Sequence, residues 1–559
     1  MAYTSLPELP PELWGYISSH LSHTDIKSFR LACSQFNNAV FLRLDRVFLS
    51  ANPLNIEVLC KVASHDKLRH QVTEIIWDEA CLTRGPPRTP ETHDGHELLS
   101  DEDEPDNSRE WAEHYSEFYQ EELLERHEDE EENGCPNWFK EACEKNIDIL
   151  KSRKNRDVDR PDHLERREQI LAQPPLSECW GHYQHLLNQQ KDVIADNSDL
   201  QAFLYGVKQF PSLRRVTITP AAHGHLFAPL YRTPMIRAFP KGFNYPIPRG
   251  WLYSRINSEP ANAYAWNEYP ELKERYRGFR IAMRVLANEP NAVSELVLTS
   301  HFLSTGINCT IFDEPCQEYD HFATVLKNPG FRRLDITMLV GEESQTGLQA
   351  CWRSLLNGRL RRALSEAKEI EEFRLHTTFS EALYEKDKYQ LIPLESIVPV
   401  EKWSNLRHFE LAGFVISQDN CISFLKALPK SVRSIEFSML QFHHAGGWYL
   451  MLEEIRQMVS ENTLWGGRDA TSKPKVAIGF PIRMSKHEPG RGKWIENEVQ
   501  DFLYNGGENP IEKDYPLQLP LGIGVMKDVF EPNFERPNVD GDLLRELNIC
   551  KEGYYPPEY

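Results

Sequence analysis

The chain of 559 residues contains no run of about 18 consecutive apolar residues, the length a membrane-crossing helix needs, so no membrane partner is expected. It also lacks the basic-then-apolar N-terminal segment of a secretory signal. Its eleven cysteines include no Cys-x-x-Cys pair. An odd, unpatterned set reads as reduced thiols in the cytoplasm or nucleus, not as a disulfide framework. Cys135 and Cys143, like Cys309 and Cys316, are spaced too widely for a usual zinc knuckle. His223-x-His225 and His443-His444 come without ordered carboxylates or thiolates, so no metal and no cofactor is expected. Catalytic fingerprints are missing too: there is no Gly-x-Ser-x-Gly elbow, phosphate loop, dinucleotide fingerprint or zincin helix. The Gly-x-Gly at 522–524 has no third glycine and no clear strand–helix context. These absences argue against an enzyme. Finally, there is no basic excess: 63 Lys and Arg against 84 Asp and Glu give a net charge of −21, which gives no support to nucleic-acid binding.

The acidity is local. Residues 97–132 hold 17 acids and 2 bases, a net of −15, and the rest of the chain carries only −6. Residues 83–109 combine Gly85-Pro86-Pro87 and Pro90 with an acidic run and read as disordered. Trp111, Tyr115, Phe118, Tyr119 and Leu123 then line one face of a helix whose other face is acidic, for packing inward or for docking a partner. With hydrophobic residues at 40% and aromatics at 11%, the remaining chain can build a sizeable core.

At the N-terminus, Pro10 and Pro11 suit the first turn of a helix, where no amide donor is needed. Leu13, Ile17 and Leu21 follow as one stripe. Residues 22–24 break that helix, Thr24 is placed to cap the next, and Asp25 in its first turn favours the helix dipole. Phe29, Leu31, Cys33, Phe36 and Val40 form a second apolar face. Two or three helices in about 35 residues bury too little surface to stand alone. The block Leu9-Pro10-x-Glu12-Leu13, Ile17, Leu21, Asp25, Arg30-Leu31-x-Cys33-x-x-Phe36-Asn37 resembles the F-box. That module ties substrate receptors to the Skp-family adaptor of cullin–RING ubiquitin ligases. The resemblance implies adaptor contacts from Leu9, Pro10, Leu13, Ile17, Leu21, Ile26 and Leu31.

Downstream, one pattern recurs: Val72-x-x-Ile75-x-Trp77, Leu213-x-x-Val216-x-Ile218, Val293-x-x-Leu296-x-Leu298, Phe331-x-x-Leu334-x-Ile336, Ile370-x-x-Phe373-x-Leu375, Leu406-x-x-Phe409-x-Leu411 and Val432-x-x-Ile435-x-Phe437. The end of each copy alternates as a half-buried strand does. Helical segments lie between copies, at 352–367, 421–428 and 448–459. The spacing predicts an irregular leucine-rich-repeat-like solenoid, and with the resemblance the chain is expected to be α/β, a three-helix F-box followed by that solenoid. Tyr183-Gln-His-Leu-Leu-Asn-Gln-Gln-Lys, Phe210-Pro-Ser-Leu-Arg-Arg-Val and Thr233-Pro-Met-Ile-Arg-Ala-Phe-Pro are similar to fungal F-box proteins with divergent repeats. The units expected are 1–50 (F-box), 51–82 (first repeat), 83–135 (acidic insertion), 136–545 (repeat domain) and 546–559 (tail). The Pro- and aromatic-rich stretch 242–251 reads as a long ordered loop.

The function implied is a non-catalytic substrate receptor of a Skp–cullin–F-box ligase, which acts by raising effective concentration. The alternative is a repeat scaffold outside any ligase. The substrate is unknown; Arg215, Thr217, Glu295, Val297, Arg333, Asp335, Glu372 and Arg374 alternate with the apolar strand positions and are expected to be exposed. Pro556-Pro557-Glu558-Tyr559 fits the PPxY ligand of WW domains.

Overall fold

The computed structural model describes residues 11–21, 23–40, 44–85, 134–152, 163–227, 229–252, 261–301, 303–340, 354–378, 391–442, 447–465, 468–469, 472–481 and 492–511. All seven copies of the apolar pattern become strands. They are β2 (Glu74–Asp78), β3 (Arg215–Thr219), β4 (Glu295–Leu298), β6 (Arg333–Leu339), β7 (Glu372–Thr377), β8 (His408–Ala412) and β10 (Ser434–Ser438). An eighth, β1 (Arg46–Leu49), carries the same spacing as Leu44-x-x-Val47-x-Leu49. β12 (Lys475–Pro481) and β13 (Gly492–Ile495) end the series, and β5 (Ile307–Asn308), β9 (Val415–Ile416) and β11 (Gln441–Phe442) are two-residue additions.

The sheet order is β1-β2-β3-β4-β6-β7-β8-β10-β12-β13, with β5 paired to β6. Pairing is parallel throughout that path except for the last, antiparallel, pair. Parallel neighbours require crossovers, and helices supply them. Those after β1, β4, β8 and β10 contain Pro53–Ser64, Gln317–Leu326, Gln418–Ala427 and Trp448–Ser460.

Register stacks the apolar positions into two rows. One runs Val47, Ile75, Val216, Leu296, Leu334, Phe373, Phe409, Ile435, Val476, and the other from Leu49 and Trp77 to Phe437 and Ile478. Every member is buried, and the rows join helix residues such as Phe203, Phe279, Phe322, Phe424 and Ile455 in one continuous core. This corrects the expected solenoid. The chain is α/β with ordered strand–helix units, but the sheet is open, with β1 and β13 at opposite ends, and is not closed into a solenoid. The units also differ in content: the crossover from β2 to β3 alone carries Asn137–Ser152, His163–Leu171, Leu176–Asp196 and Ser198–Gln209.

Phe139, Cys143, Cys179 and Tyr183 of that crossover share a separate core with Phe243 and Tyr245, which follow β3. Gln190 clamps both backbone groups of Leu82, at 2.8 and 3.0 Å, and the Tyr183 hydroxyl donates to the Thr83 carbonyl at 2.9 Å. Residues 242–251 form a loop without helix or strand, joined to the end of β2 by a Cys81–Arg249 bridge. Among the described residues the helix expected over 352–367 is interrupted: 354–356 are helical, 357–358 bend, and helix resumes over Arg359–Leu364. Residues 86–133 of the acidic insertion with its Trp111–Leu123 face, the histidines at 443–444, the glycines at 522–524 and the PPxY tail lie outside the described residues.

Candidate functional site

The N-terminal block folds as α1 (Pro11–Ser19), α2 (His23–Ala32) and α3 (Ser34–Ala39). α2 opens two residues earlier than capping by Thr24 would require, so Thr24 sits in its first turn beside Asp25. Trp14, Ile26 and Val40 are buried, and Ile17, Leu21, Phe29 and Phe36 pack against them. The Trp14 ring lies 5.3 Å from Phe29 and 5.0 Å from Phe36, and Phe29 stacks on Phe36 at 4.1 Å. Arg30 joins α2 to α3 by donating from Nε and Nη2 to Asn37 Oδ1, at 3.1 and 2.9 Å. This small core contains no residue of the sheet.

The stripe read from sequence is turned by about one residue. Trp14, not Leu13, points inward; Leu13 is 47% exposed, Tyr16 68% and Leu31 87%. Among the described residues, three of the eight large apolar side chains left exposed therefore fall between positions 13 and 31. Ile17 and Leu21 are half-buried. Ile26, expected at the adaptor contact, is instead fully inside the block's own core. Leu9 and Pro10 lie outside the described residues. Three helices are thus knitted by one aromatic cluster, with Leu13, Tyr16 and Leu31 left facing out.

Residues 6–43 match the F-box domain. F-box domains bind Skp-family adaptors. No curated protein matches the chain.

The second candidate region is the sheet face opposite the apolar rows. Alternation places Arg46, Glu74, Arg215, Glu295, Arg333, Glu372, His408, Ser434 and Lys475 in one row of it, and Thr217, Val297, Asp335, Arg374, Glu410 and Glu436 in the next. The expectation that these positions are open to solvent is overturned. Thr217, Glu295, Val297, Asp335 and Arg374 are buried, and Arg215, Arg333 and Glu372 are half-buried. They are enclosed because they neutralise one another, which lets charge leave water. Arg333 Nη2 and Arg374 Nη1 reach Asp335 Oδ2 at 2.7 and 3.0 Å, and Arg374 Nε reaches Glu410 Oε2 at 3.0 Å. His376 meets the other Glu410 oxygen. Arg215 and Arg332 converge on Glu295 at 2.6 and 2.8 Å. Thr217 donates to Glu74 at 2.6 Å.

Burial by itself would raise these carboxyls, but their cationic neighbours outweigh it. Arg333 and Arg374 hold Asp335 far below the usual carboxylate range. His376 and Arg374 hold Glu410 well below it, and Arg215 and Arg332 lower Glu295.

A third cluster sits at the end of β2. His223 Nδ1 is hydrogen-bonded to the Tyr245 hydroxyl at 2.8 Å, and its Nε2 lies 3.5 Å from Asp78 Oδ2. Burial pushes His223 down to about 3 and Asp78 up to about 7. Glu79 accepts from the Trp251 indole at 2.6 Å. An Asp–His–Tyr set invites a catalytic reading, but all three side chains are buried, and they fasten the 220–251 segment to β2. Cys135, Cys143 and Cys179 are buried in the second core and form no disulfide, and among the described residues no group of His, Cys, Asp and Glu is arranged to hold a metal. No helix among the described residues is long and apolar enough to cross a membrane.

Proposed function

We propose that the chain is the substrate-receptor subunit of a Skp–cullin–F-box ubiquitin ligase. The helical block holds the adaptor and through it a cullin. The sheet domain holds a protein substrate. The observation that carries the reading is the exposure of Leu13, Tyr16 and Leu31 on a block whose core is already complete without them. Leu9 and Pro10 just ahead of α1, and Ile17 and Leu21 at its margin, would complete the contact. Ile26 would act from beneath by holding the helices in place. Only Val40 and three further residues precede Leu44, whose backbone N–H is tied to the Gln71 side chain at 3.2 Å, so the adaptor end and the sheet are closely tethered. The PPxY tail is a candidate ligand for a WW-domain protein.

Burying one leucine is worth about 1.5–3 kcal/mol, and a few such anchors dominate an interface. Leu13→Ala with Leu31→Ala is therefore expected to lower affinity for a purified Skp-family adaptor at least about tenfold, read by titration calorimetry on the full chain. Unchanged affinity in that double variant would remove these side chains from the contact, and no adaptor binding by the parent chain would end the receptor reading.

A further inference from the structure

β2 ends at Asp78, and Glu79 follows at once. Successive side chains of an extended strand point to opposite sides. Here the two carboxyls hold opposite ends of a single segment, residues 220–251, of which 228 lies outside the described residues. Near its start, His223 Nε2 lies 3.5 Å from Asp78 Oδ2, and His223 Nδ1 is tied to the Tyr245 hydroxyl at 2.8 Å. At its end, the Trp251 indole donates to Glu79 Oε2 at 2.6 Å. The other Glu79 oxygen accepts from the Gly278 N–H. Trp251 is held at φ of +58°, a left-handed conformation that a bulky residue keeps only where its surroundings force it. The fastened position is therefore one the segment adopts because it is held.

Both grips are costly in their charged form. Asp78 and Glu79 are 2% and 6% exposed. Asp78 Oδ1 accepts from the Ala80 N–H at 3.0 Å, and Oδ2 has no hydrogen-bond partner among the described residues. The segment presents His223, Tyr245 and Arg249 to this pair, and Arg249 also donates to the carbonyls of Pro248 and Gly224. From the helices come Tyr183, which faces Tyr245, and Arg277, which grips Asp199 at 2.9 Å; Cys81, Arg275 and Tyr276 complete the surroundings. Arg249 draws Asp78 down and Arg277 draws Glu79 down, but burial outweighs them and holds both carboxyls at about 7.

The segment also carries Phe243 and Tyr245 into the second core, against Leu82, Cys135 and Phe139. Those three lie close in sequence to positions 85 and 134, between which the acidic insertion runs.

We infer that residues 220–251 are a proton-gated strap, closed over the end of β2 while Asp78 and Glu79 keep their protons and lifting as they release them to solvent, so that acidification tightens the seat of the acidic insertion. The strap stands whether or not the helical block binds an adaptor.

Lifting returns each group to its value in water. Asp78 and Glu79 sit at about 7 when closed and about 4 when open, so each favours closure in acid and loses that effect as pH climbs to about 7. His223 sits at about 3 when closed and about 6.5 when open, so it opposes closure in acid and the opposition fades by about 6.5. Between pH of about 5 and 6 two carboxyls work against one histidine, and each opening releases about one proton.

Hydrogen exchange of the full chain, read by mass spectrometry and corrected for the pH dependence of the intrinsic rate, tests this. The reporters are Gly224, Tyr231 and Gly250, whose N–H groups are bonded to the carbonyls of Ala221, Ala222 and Pro220. Their protection should fall about tenfold from pH of about 5 to 6 and level off above about 7, with β8 and β10 unchanged. Asp78→Asn and Glu79→Gln should each flatten that fall, and His223→Gln should steepen it to about a hundredfold. Circular dichroism checks that each variant is folded; should a carboxyl variant fail, the slope in His223→Gln decides. A flat response in the parent chain, a fall that survives both carboxyl variants, no steepening in His223→Gln, or an equal fall in β8 and β10 would overturn the strap.

Discussion

Ile26 and Leu31 stand on the same helix and do opposite work. Ile26 is enclosed by Trp14, Val40 and the aromatic cluster, and Leu31 projects into solvent. Ile26→Ala should therefore cost about 2–5 kcal/mol within the block, seen as faster amide exchange over residues 11–40 with the sheet unchanged. Leu31→Ala should shift stability by less than about 0.5 kcal/mol. A thermal shift in that variant comparable to that of Ile26→Ala would place Leu31 in the core after all. On the sheet, Asp335 is the shared partner of two arginines. Asp335→Asn strands Arg333 and Arg374 in a buried setting and should cost about 3 kcal/mol, measured from the urea midpoint. Removing the arginine as well, in Asp335→Asn/Arg374→Met, should recover part of that loss, because the uncompensated charge leaves with it.

At the level of elements, each strand ends in a turn that must clear its neighbour. Gly413, which carries the chain from β8 to β9, has φ of +71°, and a Cβ there would press on the Thr377 carbonyl of β7. Gly413→Ala is expected to destabilise the chain by more than about 1 kcal/mol, from the left-handed backbone and the crowding together. The loss should register as faster exchange at β7, β8 and β9 before the rest of the sheet. The β2 end is held differently, by the side chains of Gln190, Tyr183 and Trp251. Those come from far along the chain, which is why the 242–251 stretch is ordered without regular structure of its own.

For the molecule as a whole, opposing groups set the pH response. Asp78, raised to about 7 in the folded chain, contributes stability that is present below its unfolded value near 4 and is lost as pH climbs to about 7. His223, lowered to about 3, works the other way: its contribution is present above about 6.5 and is lost as pH falls. Asp78→Asn removes the first and leaves the second. The variant's urea midpoint should then rise with pH between about 4 and 6.5 more steeply than the parent's; an unchanged slope would mean that Asp78 titrates normally. Asp335 and Glu410, held low by their cations, contribute above about 4 and lose that contribution in acid, so the polar face should be the first part of the sheet to loosen below that pH.

Local spacing determined much of this on its own. The seven-fold apolar pattern marked seven strands correctly, because alternation within a strand is a property of consecutive residues. The motif from Leu9 to Asn37 marked the F-box for the same reason. The eighth copy, at Leu44 to Leu49, has the same spacing and follows directly on the helical block in sequence. Which side chains face out was a different matter. Leu13 and Trp14 are neighbours in sequence, and only the aromatic cluster formed with Phe29 and Phe36 decides that the larger one turns inward. The charged positions between the apolar rows were expected in water, and the parallel register instead brought each acid between bases from the next strands. Asp78 and Glu79 are neighbours in sequence, and only the fold sets them against His223 and Trp251, at opposite ends of one segment. Periodicity records what each residue needs from its own neighbours along the chain; charge compensation and exposure depend on residues that meet only after folding.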